Sequence, residues 1–150
     1  MRPTKDEYYL DIALAASKRS TCLKRHYGCI IVKDNIIIAT GYNGSPRGEE
    51  NCCDCGVCKR AQAERYCGYE NCIAVHAEQN ALIAASRDRL IGATIYLACE
   101  QVEEVEDIVE HQTYLIWMED ESPIPCNICK NMLKNAGIIR AVNREGEICL

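Results

Sequence analysis

The chain has 150 residues, with 17 Lys plus Arg against 22 Asp plus Glu for a formal net charge of −5, and 48% hydrophobic and 26% charged residues. Length suits one domain (residues 1–150) with a single core, composition argues against intrinsic disorder, and the acidic balance argues against an electrostatic grip on nucleic acid phosphates. Met1 to Glu7 runs into charge at once and no apolar run approaches the roughly 20 residues of a membrane span, so neither a signal peptide nor a membrane anchor is expected. Twelve cysteines would suggest a disulfide framework in a short secreted chain. In the cytoplasmic protein implied here, they are expected to bind metal or sit in the core.

In chain order, Tyr8, Leu10 and Ile12 to Ala16 predict a helix of about four turns ending near Arg19. Gly28 to Val32 and Ile36 to Thr40 flank the polar Lys33-Asp34-Asn35 and read as a hairpin of two buried strands. From Gly41 to about Asn71 the pattern dissolves into Gly, Pro, Asn and charge, and Cys52, Cys53, Cys55, Cys58, Cys67 and Cys72 fall in or beside this Cys-rich loop (about 44–73). A loop that long is uncommon unless something ties it down. Ala74 to Ala85 predicts a second helix and Ala93 to Ala98 a third strand. The acidic stretch Glu100 to Glu110 reads as a short helix or an acidic loop, and Thr113 to Met118 as an additional strand. Pro125 to Asn135 predicts a third helix closed by Gly137, and Ile138 to Val142 a last strand. This order implies an α/β fold of three layers, α-β-α, with a mixed central sheet and helices on both faces.

Two short motifs carry the chemistry. His76 and Glu78 open the second helix as His-Ala-Glu, and Pro125-Cys126-Asn127-Ile128-Cys129 opens the third as Pro-Cys-x-x-Cys. In this order, each at a helix start, they match the signature of zinc nucleobase deaminases. Cys126 and Cys129 share one helix face, and the partial positive charge of the helix N-terminus favours their thiolates. With neutral His76 they make three ligands and leave the fourth tetrahedral position for water, the arrangement of a catalytic zinc. Glu78 then has the role of proton carrier, but positions two apart on a regular helix point about 200° from each other, so spacing alone does not aim Glu78 at the metal.

The stretch from about Tyr8 to Val142 resembles deoxycytidylate (dCMP) deaminases of the cytidine deaminase superfamily. The matches are Arg19-Ser-Thr-Cys22 with Arg25, Gly41-Tyr-Asn-Gly44 with Pro46 and Gly48, His76-Ala-Glu-Gln-Asn80, Pro125-Cys-x-x-Cys129, and Asn135-Ala-Gly-Ile138. The resemblance implies hydrolytic deamination of dCMP to dUMP, which feeds thymidylate synthesis, with Glu78 moving protons from the zinc water to ring N3 and to the departing amine. It implies that Gly41 to Gly44 floors the nucleotide pocket and that Asn43 bonds the base carbonyl or a sugar hydroxyl. The Ala77 backbone amide would meet the pyrimidine carbonyl, and Arg25, or second Arg47, the phosphate. Several members carry a second, structural zinc, whose matching positions here are Cys22, Cys52 and Cys72. Relatives often place His where this chain has Asn51 and Tyr69, which leaves the fourth ligand open, with Cys53, Cys55, Cys58 and Cys67 as substitutes. A homo-oligomer, often a hexamer, activation by dCTP, inhibition by dTTP, and Mg²⁺ accompanying these effectors are likewise implied by the resemblance.

Most relatives need only a few residues between the third strand and the cysteine pair, whereas this chain inserts an acidic segment (about 100–124). Glu100 to Glu121 holds nine of the 22 acidic residues and no Lys or Arg, leaving 13 acidic against 17 basic residues elsewhere. A mildly basic core suited to a phosphate-bearing nucleotide thus carries an acidic lobe. Alternatives are a deaminase of dCTP, cytidine, guanine or another free base or nucleotide, a tRNA or polynucleotide deaminase, and a zinc-stabilised interaction module without catalysis. The intact Glu78 counts against the last, and the acidic lobe against stable nucleic acid binding.

Overall fold

Along β1 (Arg25–Lys33) successive side chains enter two different hydrophobic cores, as a strand covered on both faces must. Cys29 and Ile31 join Ala77, Ala81, Leu97, Leu133 and Ala141 on one side, while Ile30 and Val32 join Tyr9, Leu10, Ala13, Tyr96 and Val142 on the other. The structure is a computed structural model that describes residues 1–58, 60, 69–107 and 112–150.

Helix α1 (Lys5–Ser17) starts at a capping box in which the Glu7 N–H donates to Thr4 Oγ1 at 3.2 Å and the Thr4 N–H donates to Glu7 Oε2 at 2.6 Å. It packs on the second of these cores, closely enough that a Cβ on Gly28 would collide with the backbone of Ala13 and Ser17. β1 turns into β2 (Ile36–Tyr42) through Asp34 and Asn35, both left-handed at φ 52° and 63°, the residue types that a two-residue hairpin turn favours. After α2 (Cys52–Cys55) and a 3-10 turn at Tyr69–Asn71 come α3 (Ala77–Ile83), α4 (Arg87–Leu90), β3 (Thr94–Asp107), β4 (Gln112–Asp120), α5 (Asn127–Ala136), β5 (Arg140–Asn143) and β6 (Gly146–Ile148). The sheet order is β2-β1-β3-β5-β6, with β3 and β5 parallel, the other pairs antiparallel, and β4 paired to the distal part of β3. Helices α3 and α5 supply Ala77, Ala81 and Leu133 to the core opposite α1. The expected three layers and mixed sheet are present.

Four local expectations change. The second helix is shorter than Ala74–Ala85, because Val75 runs extended and bridges Gly44. The acidic stretch after Cys99 is neither helix nor loop as far as Asp107: β3 continues, held in nine-residue register by β4, which follows β5 along one edge of β3 while β1 pairs the opposite edge as far as Gln101. Residues 108–111 lie outside the described residues. β2 is only partly buried because it forms the sheet edge, with Ile36 exposed. β6 was not anticipated, since three residues are too few for a periodic signal.

The start of α1 is tied to β5 by Arg140, whose Nη2 and Nη1 donate to Asp6 Oδ2 and Oδ1 at 2.7 and 3.0 Å, while the Tyr96 hydroxyl donates to Asp6 Oδ1 at 2.8 Å. The Arg140 hydrogen bond holds the Asp6 carboxyl below its ordinary range. That contribution is complete above the usual aspartate value of about 3.9 and disappears as pH falls through the lowered one. Both side chains are about a third or more exposed, so water screens the pair. Asp6→Asn should therefore cost about 1 kcal/mol or less at pH 7 and flatten the acid limb of stability, measured by urea unfolding across pH. Identical acid limbs in the two proteins would show that the pair contributes nothing.

Candidate active site

β2 leads through Tyr42 and Asn43 to Gly44, whose N–H donates to the Val75 carbonyl at 3.2 Å and whose carbonyl accepts from the Val75 N–H at 2.8 Å. This bridge delivers the chain to His76, the N-cap of α3, with extended backbone at φ −71° and ψ 154°. The Gln79 side-chain carbonyl accepts from the His76 N–H at 3.0 Å, and the Asn80 amide donates to the Tyr42 carbonyl at 2.8 Å. Beneath them Gly41 lets α3 sit directly on β2, where a Cβ would collide with the Ala77 carbonyl and the Ala81 amide nitrogen.

The second half of the site starts at buried Pro125. Cys126 is the N-cap of α5, and its Sγ accepts from the Cys129 N–H at 3.5 Å. His76 Nδ1 lies 3.6 Å from Cys126 Sγ and 3.4 Å from Cys129 Sγ, and the three potential ligand atoms lie within 4.8 Å of one another. No other His, Cys, Asp or Glu group among the described residues converges as closely. Two thiols and one imidazole at this spacing fit a tetrahedral cation with one position left for a small ligand.

Glu78 is only 5% exposed, and its carboxyl neighbours the Cys129 thiol. Because His76 precedes the helix instead of belonging to it, the 200° divergence of regular helical positions does not apply, and both side chains reach the same place. Burial pushes the Glu78 pKa up, against the opposing pull of its own backbone N–H and of His76. Cys129 is driven far above the ordinary thiol range, first by burial and then by the Glu78 carboxylate and Cys126. Here burial outweighs the helix N-terminus that was expected to favour both thiolates, and a coordinated cation is what ionises such a thiol.

The sequence-predicted substrate residues divide. Asn43 is buried; its Oδ1 accepts from Ser20 Oγ at 2.7 Å and the Tyr27 N–H at 2.8 Å, and its Nδ2 donates to the Arg25 carbonyl at 3.0 Å. One amide N–H remains beyond these partners. Arg25 stands beside this network with its Nη1 donating to the Tyr27 hydroxyl at 3.0 Å. Arg47 is exposed in the turn closed by the Glu49 N–H on the Pro46 carbonyl, and no hydrogen bond or ion pair joins it to the other site residues among those described. Ala77 is the first residue of α3, where backbone N–H groups have no intrahelical acceptor. The sequence reading gave Gln79 no role of its own, although its place three residues after the N-cap is the capping-box spacing.

Cys22, Cys52 and Cys72 line one cavity of about 20 Å³, together with Cys58, Thr21, Ser45 and Ala74. Their sulfurs are more loosely set than the His76 group. Burial and then the neighbouring Cys22, Cys58 and Cys55 raise the Cys52 thiol, while the buried Ser45 hydroxyl pulls the other way without meeting hydrogen-bond geometry. Of the substitute ligands, Cys53 and Cys55 are exposed, with the Cys55 thiol turned to the Cys52 and Val57 carbonyls, and Cys67 lies outside the described residues. Cys29 and Cys99 are core residues, as expected, and Cys149 is exposed.

The family model for the cytidine and deoxycytidylate deaminase zinc-binding region matches residues 3–144. The chain belongs to this deaminase family. It is 36% identical over 145 residues to a deoxycytidylate deaminase of Mycobacterium phage D29, covering 94% of both chains. It is 39% identical over 148 residues to that of Saccharomyces cerevisiae, covering 92% of this chain and 44% of the yeast one. The chain spans less than half the length of the fungal relatives that it matches. A crystal structure of dCMP deaminase from the cyanophage S-TIM5 with dCMP and dUMP superposes with a TM-score of 0.62 and 26% identity, covering 95% of this chain and 82% of the other. No described helix is long and apolar enough to cross a membrane.

In this member of the family the seat of α3 on β2 is the sensitive point. Gly41→Ala should cost about 1–3 kcal/mol by overpacking and lower zinc affinity by displacing His76, measured by denaturant unfolding and by competition with a chromogenic chelator. Unchanged values for both would show that α3 has room to move.

Proposed function

We propose that the protein deaminates dCMP to dUMP by zinc-assisted hydrolysis, releasing ammonia and supplying dUMP for thymidylate synthesis. The observation that carries this reading is the convergence of His76, Cys126 and Cys129 beside the buried Glu78 carboxyl, in a chain of the deaminase family. The phage and fungal relatives named deoxycytidylate deaminase, and the neighbour crystallised with dCMP and dUMP, support the substrate.

His76 Nδ1 and the sulfurs of Cys126 and Cys129 would hold the zinc. When bound, it supplies a Lewis acid that makes hydroxide available near neutral pH. Glu78 moves the protons: its carboxylate takes one from the attacking water, passes it to ring N3, and then delivers a proton to the leaving amine. Burial suits it to this work, because a carboxyl with a raised pKa gives up its proton nearer to neutral pH than a solvated one. The Ala77 amide meets the base carbonyl, the remaining Asn43 N–H meets the base or the sugar, and Arg25, beside Asn43, is the first phosphate partner and Arg47 the second.

The Cys-rich loop is held by a second, structural zinc on Cys22, Cys52 and Cys72, with Cys58 as the fourth ligand. Their common cavity supports this, as does the burial that raises the Cys52 thiol beside them. The eleven described cysteines are all free, which suits a reducing, cytoplasmic compartment. The protein self-associates, with a hexamer as the expected form, and takes dCTP and dTTP, accompanied by Mg²⁺, as effectors.

Purified protein incubated with dCMP, dCTP, cytidine, guanine and a single-stranded oligonucleotide should release ammonia fastest from dCMP. Turnover confined to any other substrate would refute the assignment. Glu78→Gln should lower kcat by about 10²-fold or more while zinc content stays unchanged; activity persisting in that variant would exclude the proton-carrier role. Metal analysis should give two zinc per chain, falling to one in Cys58→Ser with dCMP turnover retained. One zinc in the unsubstituted protein would remove the structural site.

A further inference from the structure

β4 is the part of the molecule that the deaminase reading does not use. Among the described residues it pairs with β3 alone, so its outer edge presents a row of backbone N–H and C=O groups. Past Gln101, β3 has left β1 behind, and the arm is two strands wide. A two-stranded hairpin is marginally stable at best in water by itself. Along β4, Tyr114-Leu115-Ile116-Trp117-Met118 is a run of exposed apolar side chains, with Leu115 at 68% and Trp117 at 43% exposure. The run contains no charge, proline or glycine, the usual protections of a free edge.

We propose that β4 is the docking edge for a second copy of this chain, joined as an antiparallel β4–β4 pair about a two-fold axis at Ile116. This rests on the self-association proposed above and gives it a surface. The register follows from charge. With Ile116 opposite its own copy, Leu115 faces Trp117 of the partner subunit and Tyr114 faces Met118 of the partner subunit. The acidic ends then meet neutral hydrogen-bonding residues: Glu119 faces Thr113 of the partner subunit and Asp120 faces Gln112 of the partner subunit. A parallel in-register pair would instead set Asp120 against its own copy about 5 Å away, whereas the charge of Glu119 is already met by Arg144 at 2.7 Å. Faces are conserved as well, since Leu115 and Trp117 share one side of the strand and Ile116 and Met118 the other.

The acidic residues of β3 fit the same arrangement. Glu103 and Glu104 stand opposite Ile116 and Leu115 within the hairpin. In the four-stranded sheet β3-β4-β4-β3 the two copies of β3 lie about 14 Å apart, beyond a Debye length at physiological salt. Stacking of two arms face to face would bring those carboxylates together and is disfavoured. The acidic segment thus permits one edge-to-edge pairing and opposes further aggregation.

The test is sedimentation velocity of the full chain over a hundredfold concentration range, with Ile116→Lys and Ile116→Glu as variants and circular dichroism to verify folding. Each substitution sets like charges opposite each other on the axis, and each should weaken self-association at least tenfold. An equimolar mixture of the two should restore it, which a merely misfolded arm would not do. Unchanged assembly in both variants would overturn the β4 interface and leave self-association through another surface. A folded monomer for the unsubstituted chain at every concentration would overturn both and leave the edge to a foreign strand. Failure of the mixture to recover would also overturn the two-fold register.

Discussion

The contact on which the site depends is the approach of α3 to β2 at Gly41. With no Cβ there, the Ala77 carbonyl and the Ala81 amide rest on the strand itself. The Gly44–Val75 bridge and the Asn80–Tyr42 hydrogen bond fix the same two segments from either side. Together they hold the chain extended through Val75 and place His76 as an N-cap, one residue before helical geometry begins. Glu78 is carried into the core by the first turn, and α5 brings Cys126 and Cys129 to the imidazole through its own N-cap. Two helix starts therefore face each other across the gap where a cation fits.

Electrostatics explains why such a place implies a cation. Cys129 and Glu78 are buried side by side; burial raises both, and the Glu78 carboxylate raises the thiol further while the thiol's hydrogen bond opposes the rise at Glu78. Without a positive partner the pair is held toward its protonated forms. A divalent ion between the sulfurs reverses that preference. The cavity lined by Cys22, Cys52, Cys58 and Cys72 also touches Gly44 and Ala74. The Gly44–Val75 bridge thus lies between the two groups of cysteines.

The α1–hairpin–α3 part of the fold was legible because each element had its own periodic or turn signal, such as Asp34-Asn35 between two β-branched runs. The His76, Cys126 and Cys129 set was legible for a different reason, that few other chemistries need those residue types at two helix starts. The strand character of Glu100 to Asp107 was not legible. Its glutamates match no burial pattern, and its conformation comes from pairing with β4, a partner that local sequence does not announce. The role of Asn43 was likewise only half visible: the family resemblance implied a pocket floor, whereas Ser20, Tyr27 and Arg25 come to it from another part of the chain.

By itself the sequence determined the donor chemistry, the helix starts that carry it and the three-layer class, since these depend on residue type and short spacing. Only the tertiary structure decided that Glu78 faces the same point as His76, that Cys58 joins Cys22, Cys52 and Cys72, and that the acidic segment forms a strand with an open edge. Each of these depends on which distant backbone lies alongside. Pairing between segments tens of residues apart is set by packing and register, which no local pattern encodes.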